Sequence, residues 1–537
     1  MSSSAASLRS GLTIALGRAA RLAARLRGGG SGGTALPGLV MEKTDPGFLR
    51  RTLDQLPLGV VVVSGTNGKT TTTKMVVELL TAQGLKVLTN RTGSNFVRGV
   101  LASLLTEVDA VGRLDADVAV LELDEAHAVR FVRRVRPRAA LLLNVMRDQL
   151  DRFGEIDYTA SLLHKVAAAT TDVVVVNADD PRLSGPAFFE GVRARTAAFG
   201  AGPGLRSLFV SDDDLRTGAA AAQPATPGGD TAGGADAAVD APAEASGGSP
   251  ADGAPAPGGA PDSDAPAGSD PAGDGAGAPA AEGAPGDGTP AGAARPAPRV
   301  VLESLQDRGA VVRVDGTDHE VSFAIPGVHN QLNACAALAL ALEVLGERAD
   351  VEKLLAALAH VRAAFGRGEV LTLDGRDVEL SLVKNPAGFR MGLLTAEQAV
   401  RARGPETVMI AINDEYADGR DMSWLWDVDF TCLRGEGVAV VTGVRAWDMA
   451  LRLRYDEVPV GTVEPDLGRA LTLLRRAPGA GADAGPDAPG AGTAAPGTNA
   501  GAGSGAARPM RVFTTYTAML ALRARLGELT EVEEVMK

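Results

Sequence analysis

The feature that most constrains this 537-residue chain is the passage from Val60 to Thr71: four valines, then Ser64-Gly65-Thr66-Asn67-Gly68, then Lys69-Thr70-Thr71 opening a helix-forming run. An apolar strand, a glycine-containing turn and a helix N-terminus together make a phosphate cradle. Backbone N–H groups and the helix dipole face the anion, Lys69 places a point charge on it, and Thr70 can ligate Mg²⁺. Gly65, Thr66, Asn67, Gly68, Lys69, Thr70 and Thr71 are therefore the candidate nucleotide-binding residues. The common form of such a loop carries a further glycine at position 64 or earlier, where this chain has Ser64. The strand before it and the helix after it still define the site. A second apolar strand, Val118–Leu121, would deliver Glu122 to the carboxyl edge where ligands of parallel sheets collect. Glu122 is the favoured metal ligand, with Asp124 and Glu125 as alternatives, although the same three acids also suit a solvated loop.

Around this site the pattern is strand and helix in alternation. Gly59–Val63, Val118–Leu121, Ala139–Leu143 and Asp172–Val176 read as strands buried on both faces, which predicts a parallel sheet covered by helices. Gln331–Leu345 and Val351–Arg362 read as helices, and Leu371–Val383, Thr407–Ile412 and Val438–Thr442 restart an α/β alternation in a second, smaller domain. Two stretches, about 218–298 and 478–509, are dominated by Ala, Gly, Pro, Asp and Ser and bury too little apolar surface to offset chain entropy. They are expected to be disordered insertions, because strand-like sequence resumes at Val300–Leu302 and Ala310–Val314 after the first and at Met510–Thr514 after the second. The expected organisation is an N-terminal helical segment over 1–40, an ATP-binding domain over 41–367 and a C-terminal α/β domain over 368–537.

The net charge of −13 says little about partners, because residues 218–294 hold eleven Asp or Glu and no Lys or Arg. The remainder is close to neutral, and no basic stripe suggests a nucleic-acid surface. Cys335 and Cys432 stand far apart, which excludes a disulfide framework and a four-thiolate zinc site within the chain and fits a reducing, cytoplasmic setting. The apolar run Gly11–Leu16 is too short and too broken by Arg9, Arg18, Arg21 and Arg25 to span a membrane. It suggests an amphipathic helix, either packed on the surface or lying at a membrane.

Gly65-Thr66-Asn67-Gly68-Lys69-Thr70 resembles the phosphate loop of the Mur ligases and folylpolyglutamate synthases, and further blocks follow in that family's order. These are Asn144-Val145-Met146-Arg147-Asp148-Gln149-Leu150-Asp151-Arg152, Asn177-Ala178-Asp179-Asp180-Pro181 and Gly327-Val328-His329-Asn330-Gln331-Leu332-Asn333. The resemblance implies a P-loop Mur-ligase central domain, ATP and Mg²⁺ as cofactors, Asn330 at the nucleotide base, Arg367 at the interdomain hinge and Lys384 reaching across to the transferred phosphate. Three departures matter. Only about sixty residues precede the loop, Gln149 stands where the family has His, and the lysine that many members carbamylate is missing near Ser161 or Leu162, with Lys165 out of register. Ordinary amino-acid addition is therefore not the expected reaction.

The block Ile412–Asp427, the run Gly443–Leu453 and Gly32–Gly38 resemble the MurT-type ligase subunits of lipid II isoglutaminyl synthases. Many such subunits carry a four-cysteine zinc ribbon in the central domain, and the low-complexity insertion occupies that place, so no zinc is expected. The resemblance implies amidation of the D-glutamate α-carboxyl of the lipid II stem peptide through an acyl phosphate, in the cytoplasm at the inner membrane face. Neither cysteine lies in a nucleophile-elbow context, so ammonia is expected from a separate GatD-type glutamine amidotransferase subunit. An aspartate of the 414–427 block is implied to complete that partner's Cys/His pair, Asp421 first and Asp418 second; the same aspartates could instead simply cap turns. The alternatives are a folylpolyglutamate-synthase-like amino-acid ligase and a non-catalytic nucleotide-binding scaffold.

Overall fold

The computed structural model describes residues 2–26, 35–90, 97–146, 156–209, 296–306, 308–362, 366–477 and 508–532. Everything described belongs to one compact unit formed by Met1–Gly218 and Ala293–Lys537. Apart from residues 296–298 and 508–509 at their ends, the two low-complexity insertions lie outside the described residues, as do the Arg147–Arg152 part of the second family block and Gly32–Thr34.

The first sheet holds β1 (Val60–Ser64), β2 (Val87–Thr89), β3 (Val118–Glu122), β4 (Ala139–Leu142), β5 (Val173–Asn177), β6 (Arg195–Ala201), β7 (Pro298–Gln306), β8 (Gly309–Val314) and β9 (Thr317–Ser322), in the order β2-β3-β1-β4-β5-β6-β7-β8-β9. Pairing is parallel from β2 to β7 and antiparallel through β8 and β9. Period-two alternation sends consecutive valines of β1 into different cores. Val61 and Val63 pack with Met75, Leu79 and the helix Val328–Leu345, whereas Val60 and Val62 pack with Phe48, Leu101, Leu104 and Leu163. A strand apolar on both faces can sit only inside such a three-layer arrangement, and β1 lies at its centre.

The helix Val328–Leu345 is apolar all round, which by length and composition would suit a bilayer. Among the described residues it is the one helix of that kind, and it is buried inside the protein. Its alanines at 334, 336, 337, 339 and 341 let it approach the phosphate-loop helix Lys69–Ala82 and strands β5 to β7 closely.

The second sheet contains β10 (Arg367–Leu373), β11 (Arg376–Leu382), β12 (Thr407–Ala411), β13 (Val438–Thr442), β14 (Val460–Val463) and β15 (Met510–Thr514), ordered β10-β11-β15-β12-β13-β14. Leu371–Val383 reads in sequence as one segment, but it folds as the hairpin β10–β11. Asp374 and Gly375 both adopt positive φ (52° and 73°), the backbone that a two-residue hairpin turn requires. The helix read as Gln331–Leu345 begins one turn earlier at Val328, and the helix expected to reach Arg362 ends at Leu358.

Arg511, in the middle of the second sheet, is fully buried between Glu379 and Glu406, which both accept from its guanidinium. Burial alone would lower its pKa, but the two carboxylates outweigh that and raise it. Arg511→Leu leaves two buried carboxylates without their cation, so it should destabilise the second domain by about 3–5 kcal/mol. Chemical denaturation followed by tryptophan fluorescence reads this, and a loss below about 1 kcal/mol would show that the carboxylates find other partners or protonate at little cost.

Candidate active site

The phosphate loop leaves the carboxyl end of β1 between β3 and β4. Gly68 occupies the N-cap position of the helix Lys69–Ala82 at φ 85°, and a Cβ there would lie 2.6 Å from Asn333 Oδ1. Both the left-handed backbone and the close approach demand glycine. The loop is pinned to the segment after β4. Asn67 N–H donates to Asn144 Oδ1 (2.8 Å), Asn144 Nδ2 donates to the Asn67 carbonyl (3.1 Å), and Thr66 Oγ1 bonds both N–H and carbonyl of Met146 (3.1 and 3.2 Å). That segment is held in turn by Asp180, whose carboxylate accepts from Val145 N–H at 2.6 Å and caps the turn at Arg182 and Leu183. Burial pushes the Asp180 pKa up to about 6 against the pull of these N–H donors.

Lys69 is buried, and its ammonium sits in a nest of oxygens: the Gly65 carbonyl at 2.6 Å, the Thr66 carbonyl at 3.3 Å, Asp124 Oδ1 at 3.2 Å and Glu125 Oε1 at 3.8 Å. Beside it Thr70 Oγ1 donates to Glu122 Oε1 at 2.7 Å, and Asn90 fixes the Glu122 backbone with a reciprocal pair of hydrogen bonds at 2.8 Å. The three acids therefore divide: Glu122 faces Thr70, whereas Asp124 and Glu125 face Lys69. Burial would raise the Asp124 pKa, but Lys69 and then Lys384 hold it below the usual carboxylate range, so it stays ionised.

A hydroxyl and a carboxylate side by side at a phosphate loop fit a magnesium ion, which takes one or two protein oxygens and completes its shell with phosphate and water. Among the described residues no group of three or more His, Cys, Asp or Glu is placed to hold a metal by itself. A site shared with the nucleotide needs only the pair Thr70 and Glu122.

The second domain closes the other side. Lys384 Nζ donates to the Thr66 carbonyl at 3.2 Å, and the amides of Asn385 and Asn67 exchange hydrogen bonds at 3.1 and 3.3 Å. Asn385 also caps the helix Pro386–Arg403 through Gly388 N–H. Together the two domains enclose a cavity of about 320 Å³ whose wall includes Lys69, Thr70, Glu122, Asp124, Lys384 and Arg390. Three cations and a set of acids thus face one space, the electrostatics a triphosphate with its metal requires.

His329 and Asn333 also line this cavity, one turn apart on the helix Val328–Leu345. Asn330 is buried behind that wall, donating from Nδ2 to the Pro326 carbonyl at 2.6 Å. Arg367 opens β10, and its side chain lies outside the described residues. Sequence reasoning did not single out His329, Asn333, Asn385 or Arg390 as site residues. The available signal was the helix start: begun at Val328, positions 329 and 333 share a face.

The aspartate block is elsewhere. Asp418 is buried, accepting from Thr517 N–H at 2.8 Å and from Thr517 Oγ1, and so holds the start of the helix Tyr516–Gly527. Asp421 is partly exposed, with Oδ1 accepting from Ser423 N–H at 2.9 Å. Neither lines the cavity, but Arg390 donates to the Asp427 carbonyl at 3.3 Å, which links this block to the cavity wall.

A phosphate loop on a covered parallel sheet, closed by a lysine and an asparagine from a second α/β domain, defines a ligase of the Mur type. Residues 63–209 match the Mur ligase middle domain, and the chain is an ATP-dependent ligase with the Mur-ligase fold. Its C-terminal domain is of the MurT type, since residues 382–480 match the family described as MurT ligase C-terminal. Two similar proteins are named lipid II isoglutaminyl synthase (glutamine-hydrolyzing) subunit MurT. That of Staphylococcus aureus (strain COL) is 27% identical over 470 residues, covering 86% of this chain and 92% of its own. That of Streptococcus pneumoniae (strain ATCC BAA-255 / R6) is 28% identical over 430 residues, covering 80% and 83%. A crystal structure of MurF ligase from Thermotoga maritima in complex with ADP has the same fold, with a TM-score of 0.54 at 15% identity over 92% of this chain and 84% of that one.

Proposed function

We propose that this chain is the ligase subunit of a lipid II isoglutaminyl synthase, converting the α-carboxyl of D-glutamate in the lipid II stem peptide to the amide of D-isoglutamine at the cytoplasmic face of the membrane. The observation that carries the reading is the cavity in which Lys69 and Thr70 of the phosphate loop face Lys384 and Arg390 of a MurT-type domain. ATP enters as co-substrate. Its phosphates take over the ammonium of Lys69 from the Gly65 and Thr66 carbonyls. Thr70 and Glu122 would hold magnesium, which when bound neutralises phosphate charge.

A carboxylate oxygen of the substrate attacks the γ-phosphorus, the bond to the β-phosphate oxygen breaks, and ADP leaves. Lys384 follows the transferred phosphoryl group, and Arg390 faces the entering carboxylate. The resulting acyl phosphate has a far better leaving group than the original oxyanion. Ammonia then adds to the acyl carbon, phosphate departs, and the nitrogen loses a proton to leave a neutral amide. In the same reading Asn330 and Arg367 belong to the nucleotide-binding shell, and ammonia comes from a GatD-type glutaminase whose catalytic histidine is oriented by an aspartate of the 414–427 block.

The test incubates the chain and such a glutaminase with lipid II, ATP and glutamine, then analyses the stem peptide by mass spectrometry. Replacement of one carboxyl by a carboxamide, with one ADP per amide, is the expected result. Attachment of a whole amino acid, or ATP hydrolysis without an amide, would refute the assignment.

A further inference from the structure

The first helix, Ser2–Leu26, has a second face that the fold does not use. It packs inward through Thr13, Ile14 and Gly17, the last so close to Met41 that a Cβ there would meet its sulfur at 2.9 Å. The opposite face carries Leu12, Ala15, Leu16, Ala19, Leu22 and Ala23, all exposed, with the leucines at 64%, 39% and 60%. Spacings of three and four make these one continuous stripe along the helix. Single exposed leucines need no explanation, but an unbroken apolar stripe does.

The charges around the stripe identify its occupant. The helix contains Arg9, Arg18, Arg21 and Arg25 and no Asp or Glu, in a chain whose net charge is −13. On the helical wheel Arg9 borders one edge of the stripe and Arg18 the other, both exposed. Their guanidiniums contact Asp45 and the Val108 carbonyl respectively, which holds them beside the stripe. An apolar face bordered by arginines and free of acids matches a bilayer surface, with acyl chains beneath anionic headgroups.

We infer that the Leu12–Ala23 face is a membrane-docking surface that seats the protein on a bilayer containing anionic lipid. The inference uses no step of the ligase chemistry, so the two stand or fall separately. Flotation of the intact chain with vesicles of phosphatidylglycerol and phosphatidylcholine should show binding that weakens as salt is raised and is lost on pure phosphatidylcholine.

The combined variant Leu12→Glu, Leu16→Glu, Leu22→Glu should reduce affinity for the anionic vesicles by about ten-fold or more while leaving ATP turnover and thermal unfolding unchanged. A second variant guards against misfolding: Leu16→Cys in a Cys432→Ser background, labelled with an environment-sensitive dye, should show a blue shift on the anionic vesicles. Absence of flotation by the unmodified chain, equal binding by the triple-glutamate variant, or no dye shift would overturn the inference. So would conversion of a dimer to a monomer by the triple variant, since the stripe would then serve a second copy.

Discussion

Lys69→Ala should lower ATP-dependent turnover by about 10³-fold, the scale on which removal of a preorganised charge from a reacting site is felt. The geometry explains why the loss is large. Lys69 is the cation closest to the loop carbonyls and is itself held by Asp124 and Glu125. Without it, Asp124, Glu125 and Glu122 face the incoming triphosphate with no cation from the loop. The depressed Asp124 pKa should also rise, because Lys69 contributes most among the basic groups that lower it. ADP release, measured at saturating ATP and beside a circular-dichroism control, reads the effect. Substantial residual turnover would remove Lys69 from the chemistry and with it the phosphate-loop assignment.

Asp421→Asn should slow glutamine-dependent amidation by about 10²-fold or more while sparing the ligase site, because it keeps the shape and removes the charge that would stabilise a partner's imidazolium. The structure separates the two candidate aspartates in a useful way. Asp418 is buried and caps the helix Tyr516–Gly527, so Asp418→Asn risks the fold itself. Asp421 is partly exposed, and neither lines the cavity between Lys69 and Lys384. Concentrated ammonium at raised pH should therefore restore amidation in Asp421→Asn and fail to restore it in Lys69→Ala. If ammonium does not rescue, or glutamine hydrolysis by the complex is unchanged, Asp421 serves the ligase site or the fold, and the test moves to Asp418.

What the sequence by itself determined was whatever depends on neighbours along the chain. Four valines before a Gly-Thr-Asn-Gly-Lys-Thr turn can form little else than a buried strand ending in a phosphate cradle, because period, backbone freedom and helix start all agree locally. The second α/β unit beyond Gly368 was legible for the same reason, as was the placement of Thr70 and Glu122 at neighbouring strand ends. Tertiary structure decided what depends on distance across the fold. That Asn385 would pair with Asn67, or that Lys384 would bond the Thr66 carbonyl, requires two sheets to meet across more than 300 residues of sequence, and no local pattern encodes that meeting. The start of the helix at Val328 brought His329 and Asn333 to the cavity and turned Asn330 behind its wall, since one turn of helix changes which side chains share a face. Packing likewise left the Leu12–Ala23 face uncovered while burying Ile14: the sequence shows an amphipathic helix, but only the folded protein shows which of its two apolar sides the core consumes.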